Sequence, residues 1–407
     1  MKPAEVVVIG AGVVGLSIAL EAQARGLTVR VIDRTGVCAG ASAGNAGALA
    51  LTDILPLASP RIIRQAPKWL LDPLGPLSVP PRYALKIAPW MLRFWRASWP
   101  AQVRASTIAQ TGLMALSKAA LEPFMAAHGL MPMLRKDGQL QVYESQAEFN
   151  ASLPGWAIRE AAGMEVQHLT GDAIAARQPG LSPRITHATF TPGWWSVTDP
   201  LDYTQALADR FRTQGGEMLI ANATRLLTDG VETSAGVMTG RVVLAAGAHS
   251  HQLARTVGVK IPLETERGYN TTLPPGAFDL RCQVTFGGHG FVVVRLTSGI
   301  RVGGAVELGG LELPPNYARA EAMLTKAKRF LPGLNTSGGT QWMGFRPSLP
   351  DTLPAIGALP GTPNTLCAFG HGHLGLTQSA GTAQIIANLL TGQQPGLDLS
   401  PFAPSRF

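Results

Sequence analysis

Cysteine is scarce: three in 407 residues, Cys38, Cys282 and Cys367, far apart and without a CxxC pair. That spacing excludes a zinc module and a disulfide framework and fits a reducing compartment. Charge is sparse as well, at 15% of residues, and aromatic residues make up only 6%. No apolar run of about 18 residues is free of charge, so no transmembrane helix is expected. Internal repeats are lacking, and the 46 glycines and 31 prolines are scattered among periodic apolar segments, which sets aside a low-complexity or disordered chain. Zinc-finger, RNP-type and helix-turn-helix patterns are missing too, so the net charge of +8 does not single out nucleic acid as a partner.

What is present is apolar residue, 46% of a chain long enough for a large core and for two domains rather than one. The opening MKPAEVVVIGAG is short and apolar enough to be weighed as a leader, but its run passes directly into a glycine-rich turn. The positive charge has one organised expression, RYALKIAPWMLRFWRASWPAQVR. There Arg82, Lys86, Arg93, Arg96 and Arg104 fall within roughly 40° of one line at helical periodicity. Ile87, Trp90, Met91, Phe94, Trp95 and Trp99 are expected on the other side, and Pro89 is expected to kink or restart the helix. A basic, tryptophan-bearing amphipathic helix suits a membrane interface; an ordinary domain helix with a solvated basic face is the alternative.

VVVIGAGVVGLSIALEAQARGLTVRVID is the most informative segment. Val6 to Ile9 reads as a buried parallel strand, Gly10, Gly12 and Gly15 form GxGxxG, and Val13 and Val14 enter a helix that runs to about Ala24. A second strand ends at Asp33 and Arg34. Gly10 permits the tight turn, Gly12 the approach of backbone to a pyrophosphate, and Gly15 the packing of helix on strand. The helix N-terminus offers unpaired N–H groups to the phosphates, and Asp33 is placed for the adenosine ribose. The motif by itself does not separate FAD from NAD.

Downstream, CAGASAGNAGALA has Ser42 and Asn45 as its side-chain hydrogen-bonding groups, and its small residues, among them Ala41, Ala46 and Gly47, would let backbone pass close to a flat ligand. RVVLAAGAHS reads as a strand running into the turn Ala245, Ala246, Gly247. GFRPSLPDTLPAIG combines Gly344 and Arg346 with three prolines, and FGHGHLGLTQSAGT precedes a helix-like segment.

These segments, in this order and over nearly the whole chain, resemble the D-amino-acid oxidase superfamily of flavoproteins and, within it, the bacterial D-amino-acid dehydrogenases. The resemblance implies an α/β fold: a Rossmann-like FAD-binding domain of the glutathione-reductase type, with an α+β substrate domain on a mixed or antiparallel sheet. The FAD domain is expected at 1–52, 153–260 and 336–407, and the substrate domain at 53–152 and 261–335. The implied reaction is hydride transfer from an amino acid Cα to flavin N5, giving an imino acid that hydrolyses to a 2-oxo acid, with electrons passed to a quinone or another acceptor. A D-proline or hydroxyproline dehydrogenase, an oxygen-using oxidase, and an FAD-binding subunit of an opine-type oxidase complex are the alternatives. A cytoplasmic protein, peripheral on the inner face of the membrane through 82–104, is expected.

Flavin carries the difficult chemistry, so the protein mainly orients the substrate. Arg346 matches the family's carboxylate-binding arginine, a planar fork that holds a carboxylate in two places. Tyr269 in ERGYN is expected to line the pocket or close on the carboxylate; Asn270 stands where related sequences often have His. His289 and Phe291 are candidates to face the flavin, and Tyr317 is weaker. Relatives that attach FAD covalently do so through a cysteine near the position of Gly344, so noncovalent FAD is expected. His371 and His373 have no third ligand nearby and make no metal site. Instead Gly370, Gly372 and Gly375 are expected to let the chain follow the cofactor, while the N–H groups of Leu374, Gly375, Leu376 and Thr377 open the final helix toward the reduced flavin's negative edge. His373 joins the catalytic candidates.

Overall fold

The computed structural model describes residues 4–70, 72 and 74–407, without the side chains of 61, 67 and 68. Residues 1–3, where the segment weighed as a leader begins, lie outside the described residues. Val6–Ile9 is buried along its length and forms the centre of a six-stranded sheet. Its neighbours are Val29–Asp33 and Arg241–Leu244, both parallel to it; Glu217–Ile220 and Thr362–Phe369 extend the parallel set, and Ala355–Leu359 closes one edge antiparallel. Continuous Val/Ile/Leu runs are what a strand covered on both faces requires. Val6 and Val8 pack with helices Val13–Ala24, Pro200–Thr213 and Gly375–Leu390 through Leu16, Leu207, Phe211 and Ile386. Val7 and Ile9 face the opposite way, toward Leu226, Val231 and Met238 of a three-stranded antiparallel meander.

A second, mixed sheet is built around the long strands Glu264–Leu273, Gly299–Glu307 and Thr340–Ser348. Two features differ from the expected division of the chain. Gln167–Thr170 and His187–Thr191, expected in the nucleotide-binding part, pair with each other, and His187–Thr191 pairs with Gln139–Tyr143, in this second sheet. Thr340–Ser348, expected there too, pairs with Glu264–Leu273 along its whole length. Alternating strands carry no label for the sheet they join, and partner choice is a long-range matter. The outcome places Arg346 on an edge strand of the second sheet while the chain that follows returns to the first.

The basic segment forms two helices, Ala84–Ala97 and Pro100–Ala127, with Pro89 accommodated inside the first. Ile87, Trp90 and Phe94, expected on the side away from the cations, turn inward. Trp95 and Trp99 do not: they are exposed beside Arg93 and Arg96, together with Leu85 and Leu92, which are 92% and 64% exposed. Among the described residues no helix is long and apolar enough to cross a membrane.

Candidate active site

A cavity of about 1070 Å³ runs between the two sheets. One end is the GxGxxG turn. Gly10 has φ +117°, and a Cβ there would stand 2.8 Å from the Ala245 carbonyl carbon; Gly15 has no room for a side chain because it faces the Gly10 carbonyl. Gly12 caps the helix without a side chain, and Gly12, Val13 and Val14 line the cavity with the helix's amide end. Asp33 is immobilised by amides: Ala11 N–H donates to Oδ2 at 3.0 Å, and Thr35 and Gly36 N–H donate to Oδ1 at 2.9 and 3.1 Å. Arg34 meets His249 at 2.8 Å beside Ala246 and Gly247, which also line this end. Burial, followed by the Arg34 cation, lowers the pKa of His249.

The small-residue segment after Asp33 crosses the cavity. Ser42 Oγ accepts from Val13 N–H at 3.1 Å, tying the segment to the helix start. Two long-range donors hold its far side: Asn270 Nδ2 donates to the Gly44 carbonyl at 2.9 Å, and buried Arg301 donates to the carbonyls of Ala43 and Asn45. Asn270 therefore anchors the loop. Ala41, Asn45 and Ala46 line the cavity, whereas Gly47 lies behind it and packs toward Leu296 and Val197. The Trp342 indole is set between Gly44 and Gly344, and a Cβ on Gly344 would fall within its ring, 2.6 Å from Cζ2. Gly344 thus makes room for an aromatic wall that sequence reasoning missed.

Arg346 shares the cavity-facing side of its strand with Trp342 and Gly344. Its Nη1 donates to the Ala305 carbonyl at 3.0 Å, and among the described residues no other acceptor lies within hydrogen-bond reach of the guanidinium. Gly268 lets the guanidinium lie against the neighbouring strand, since a Cβ there would come 2.9 Å from Nε. Burial lowers the Arg346 pKa and the nearby Glu266 carboxylate opposes it; an arginine stays cationic regardless. Glu266 is buried and accepts from Ser348 Oγ at 2.6 Å. The site therefore presents unused, fixed guanidinium donors to the cavity, which is the geometry for a carboxylate. Glu266 and Gly268 flank Arg267 in ERGYN, and the register of that strand against GFRP, invisible in sequence, is what brings them to Arg346.

Tyr269 lines the cavity with its ring, but its hydroxyl is engaged elsewhere, donating to Glu307 Oε1 at 3.1 Å and accepting from Asn316 N–H at 3.0 Å. Burial raises its pKa. Tyr317 meets that ring edge-on at 6.2 Å and is 38% exposed. Phe291 is at the cavity wall; His289 is not. It pairs with Glu144 at 2.8 Å and packs on Phe330, because the turn at Gly287–His289 directs it away.

In FGHGHLGLTQSAGT the backbone positions diverge. His371, Gly372, His373, Gly375 and Leu376 line the cavity; Gly370, Leu374 and Thr377 do not. Thr377 Oγ1 instead accepts from Ala50 N–H at 3.0 Å, fastening the helix start to the small-residue segment. His373 pairs with Asp53 at 3.0 Å, and Asp53 also receives Arg159. Among the described residues no three His, Cys, Asp or Glu side chains cluster as a metal would need.

His371 is buried against Thr382 Oγ1 at 3.0 Å, and burial pushes its imidazole down to about 3. The unfolded chain takes up a proton near pH 6.5 that the folded chain refuses. The stability this neutral imidazole secures is therefore complete above pH 6.5 and is lost as pH falls toward 3, at about 1.4 kcal/mol per pH unit. A His371→Asn variant is expected to show a shallower fall of Tm between pH 6 and 4 than the parent; parallel slopes would exclude His371 as the titrating group.

The cavity, with a phosphate-type helix end, an immobilised acid and a glycine-lined far wall, fits an extended dinucleotide. The family model described as DAO: FAD dependent oxidoreductase matches residues 5–389. A D-amino-acid oxidase of Bradyrhizobium diazoefficiens is 35% identical over 99% of this chain and 98% of its own. A D-amino acid dehydrogenase of Cereibacter sphaeroides is 31% identical over 99% and 95%. Among solved structures, glycine oxidase from Geobacillus kaustophilus superposes with a TM-score of 0.78 at 21% identity, covering 100% of both chains, which speaks for the fold. The two-sheet architecture and the GxGxxG end of its cavity are accounted for together: the chain belongs to the DAO family of FAD-dependent oxidoreductases.

Proposed function

We propose that this enzyme oxidises D-amino acids to imino acids, which hydrolyse to 2-oxo acids and ammonia. The observation that carries the reading is Arg346, a half-buried guanidinium with donors left over, facing the cavity. The D-amino-acid oxidase and dehydrogenase relatives named above support the substrate class. FAD, when bound, supplies the two-electron acceptor. Gly10 to Val14 would hold its phosphates, Asp33 the adenosine end, and the 42–46 and 372–376 segments the rest. Binding is noncovalent in this reading, since among the described residues no cysteine lines the cavity. Arg346 fixes the substrate carboxylate, and Tyr269 and Trp342 wall the space beside it. Anaerobic mixing of the purified flavoprotein with D-amino acids should bleach its visible absorbance, with the L-enantiomers inert; bleaching by L-enantiomers alone would overturn the stereochemical assignment.

Delivery of electrons at a membrane is favoured by the exposed face of Ala84–Ala97. Leu85, Leu92 and Trp95 stand there among Lys86, Arg93 and Arg96, with Arg82 and Trp99 flanking the helix, apolar groups for the acyl boundary and cations for anionic headgroups. Sedimentation with phosphatidylglycerol-containing vesicles should be strong at low salt. A Trp95→Ala/Trp99→Ala/Arg93→Glu/Arg96→Glu variant should bind at least ~10-fold more weakly, each cation contributing about 1 kcal/mol; unchanged binding would remove the membrane assignment.

A further inference from the structure

We infer that the substrate's side chain is bulky and apolar, an inference that rests on the D-amino-acid reading above. The Ala305 carbonyl, the acceptor for Arg346, begins a continuous apolar wall. The next residue, Val306, lies in register with Leu77 of the parallel strand Leu77–Ser78; Val306 N–H donates to the Pro76 carbonyl at 2.7 Å and Leu308 N–H to Ser78 at 2.9 Å. Over Leu77, Val306 and Leu308 lie Trp90 and Phe94 of the helix Ala84–Ala97, stacked on each other with centroids 5.3 Å apart, and Ile62 of the helix Pro60–Leu70. All six line the same cavity as Arg346, and none belongs to the dinucleotide-binding segments.

Charge around this compartment is accounted for elsewhere. Glu266 accepts from Ser348 and faces Arg346; Asp53 is paired with His373 and Arg159; Arg301 holds the loop around Asn45; Asp33, Arg34 and His249 belong to the far end. Once a carboxylate is fixed at Arg346, a side chain entering this compartment meets hydrocarbon and aromatic rings. A glycine or alanine would leave it unfilled, and an acidic side chain would be desolvated without a partner. Each added methylene in such a pocket is worth about 10-fold in specificity.

The test is the rate and concentration dependence of anaerobic flavin bleaching with D-leucine, D-methionine, D-phenylalanine, D-alanine, D-aspartate and D-lysine. The bulky apolar members are expected to exceed D-alanine by about 10-fold or more and D-aspartate by on the order of 100-fold. A faster reaction with D-alanine, D-aspartate or D-lysine overturns the inference and leaves the D-amino-acid reading standing; bleaching by none of the six overturns both. Met91, half-buried on the same wall, gives the second arm. Met91→Asp is expected to cut efficiency with D-leucine by about 10-fold or more and to raise the ratio of D-lysine to D-leucine. Met91→Leu is expected to retain the parent order, and the flavin spectrum reports that both variants are folded. An unchanged preference in Met91→Asp also overturns the inference.

Discussion

Replacing Arg346 with methionine should lower kcat/KM for the best D-amino acid by about 30- to 4,000-fold, the equivalent of about 2–5 kcal/mol for a buried charge deprived of its partner. The side chain is half-buried at the cavity wall, holds one carbonyl, and has its remaining donors directed at the cavity. Methionine keeps most of the volume, so bound flavin and Tm should stay close to the parent values. Gly268→Ala makes the same point from the neighbouring strand, since its Cβ would come 2.9 Å from Arg346 Nε and displace the guanidinium without removing the charge. It should raise KM in the same direction, by a smaller factor. Activity of Arg346→Met within a few-fold of the parent would exclude the clamp.

At the other end of the cavity, Gly10→Ala should yield protein largely free of flavin, read from the ratio of absorbance near 280 and 450 nm. Two costs coincide there. The backbone has φ +117°, and the added Cβ would meet the Ala245 carbonyl carbon at 2.8 Å, rigid backbone that cannot swing aside. Strain of about 1–3 kcal/mol and overpacking of similar size translate into a loss of FAD affinity of about 10²–10⁴-fold if the turn distorts. Gly36→Ala is the control: its φ is +129° but nothing lies within 4 Å of the added Cβ, so strain acts without the clash and the loss should be smaller. Parent-like flavin content in Gly10→Ala would show that the turn does not set cofactor affinity.

The difference between these two sites reflects how each was legible. The dinucleotide turn is local: strand, glycines, helix start and acid follow one another within Val6–Asp33, and each needs a residue type that chain neighbours alone make recognisable. The helical spacing of Ile87, Trp90 and Phe94 likewise set them on the side away from the cations, and the fold buries that side. Trp95 and Trp99, expected on that same side, are exposed instead. The helix has only one core-facing stripe, and these two fall outside it, beside the arginines.

His289 and Thr377 looked chemical in sequence and serve packing or tethering in space, held by Glu144 and by the amide of Ala50. His371 and His373 drew attention as a pair, yet one is a neutral buried group on Thr382 and the other pairs with Asp53. Conversely Trp342, Arg301, Glu266 and Gly268 were not singled out as site residues, and they matter because three strands, Glu264–Leu273, Gly299–Glu307 and Thr340–Ser348, pair in one register.

By itself the amino-acid sequence determined the nucleotide-binding turn, through glycine placement and periodicity over a short span, while its resemblance to the D-amino-acid oxidase superfamily implied the fold class and singled out Arg346 as the candidate clamp. Tertiary structure alone decided which sheet the strands around 167–191 and 340–348 joined, what surrounds Arg346, and which side of the basic helix meets solvent. Strand register and helix rotation are set by contacts between residues tens to hundreds of positions apart, and a local pattern is compatible with several of them.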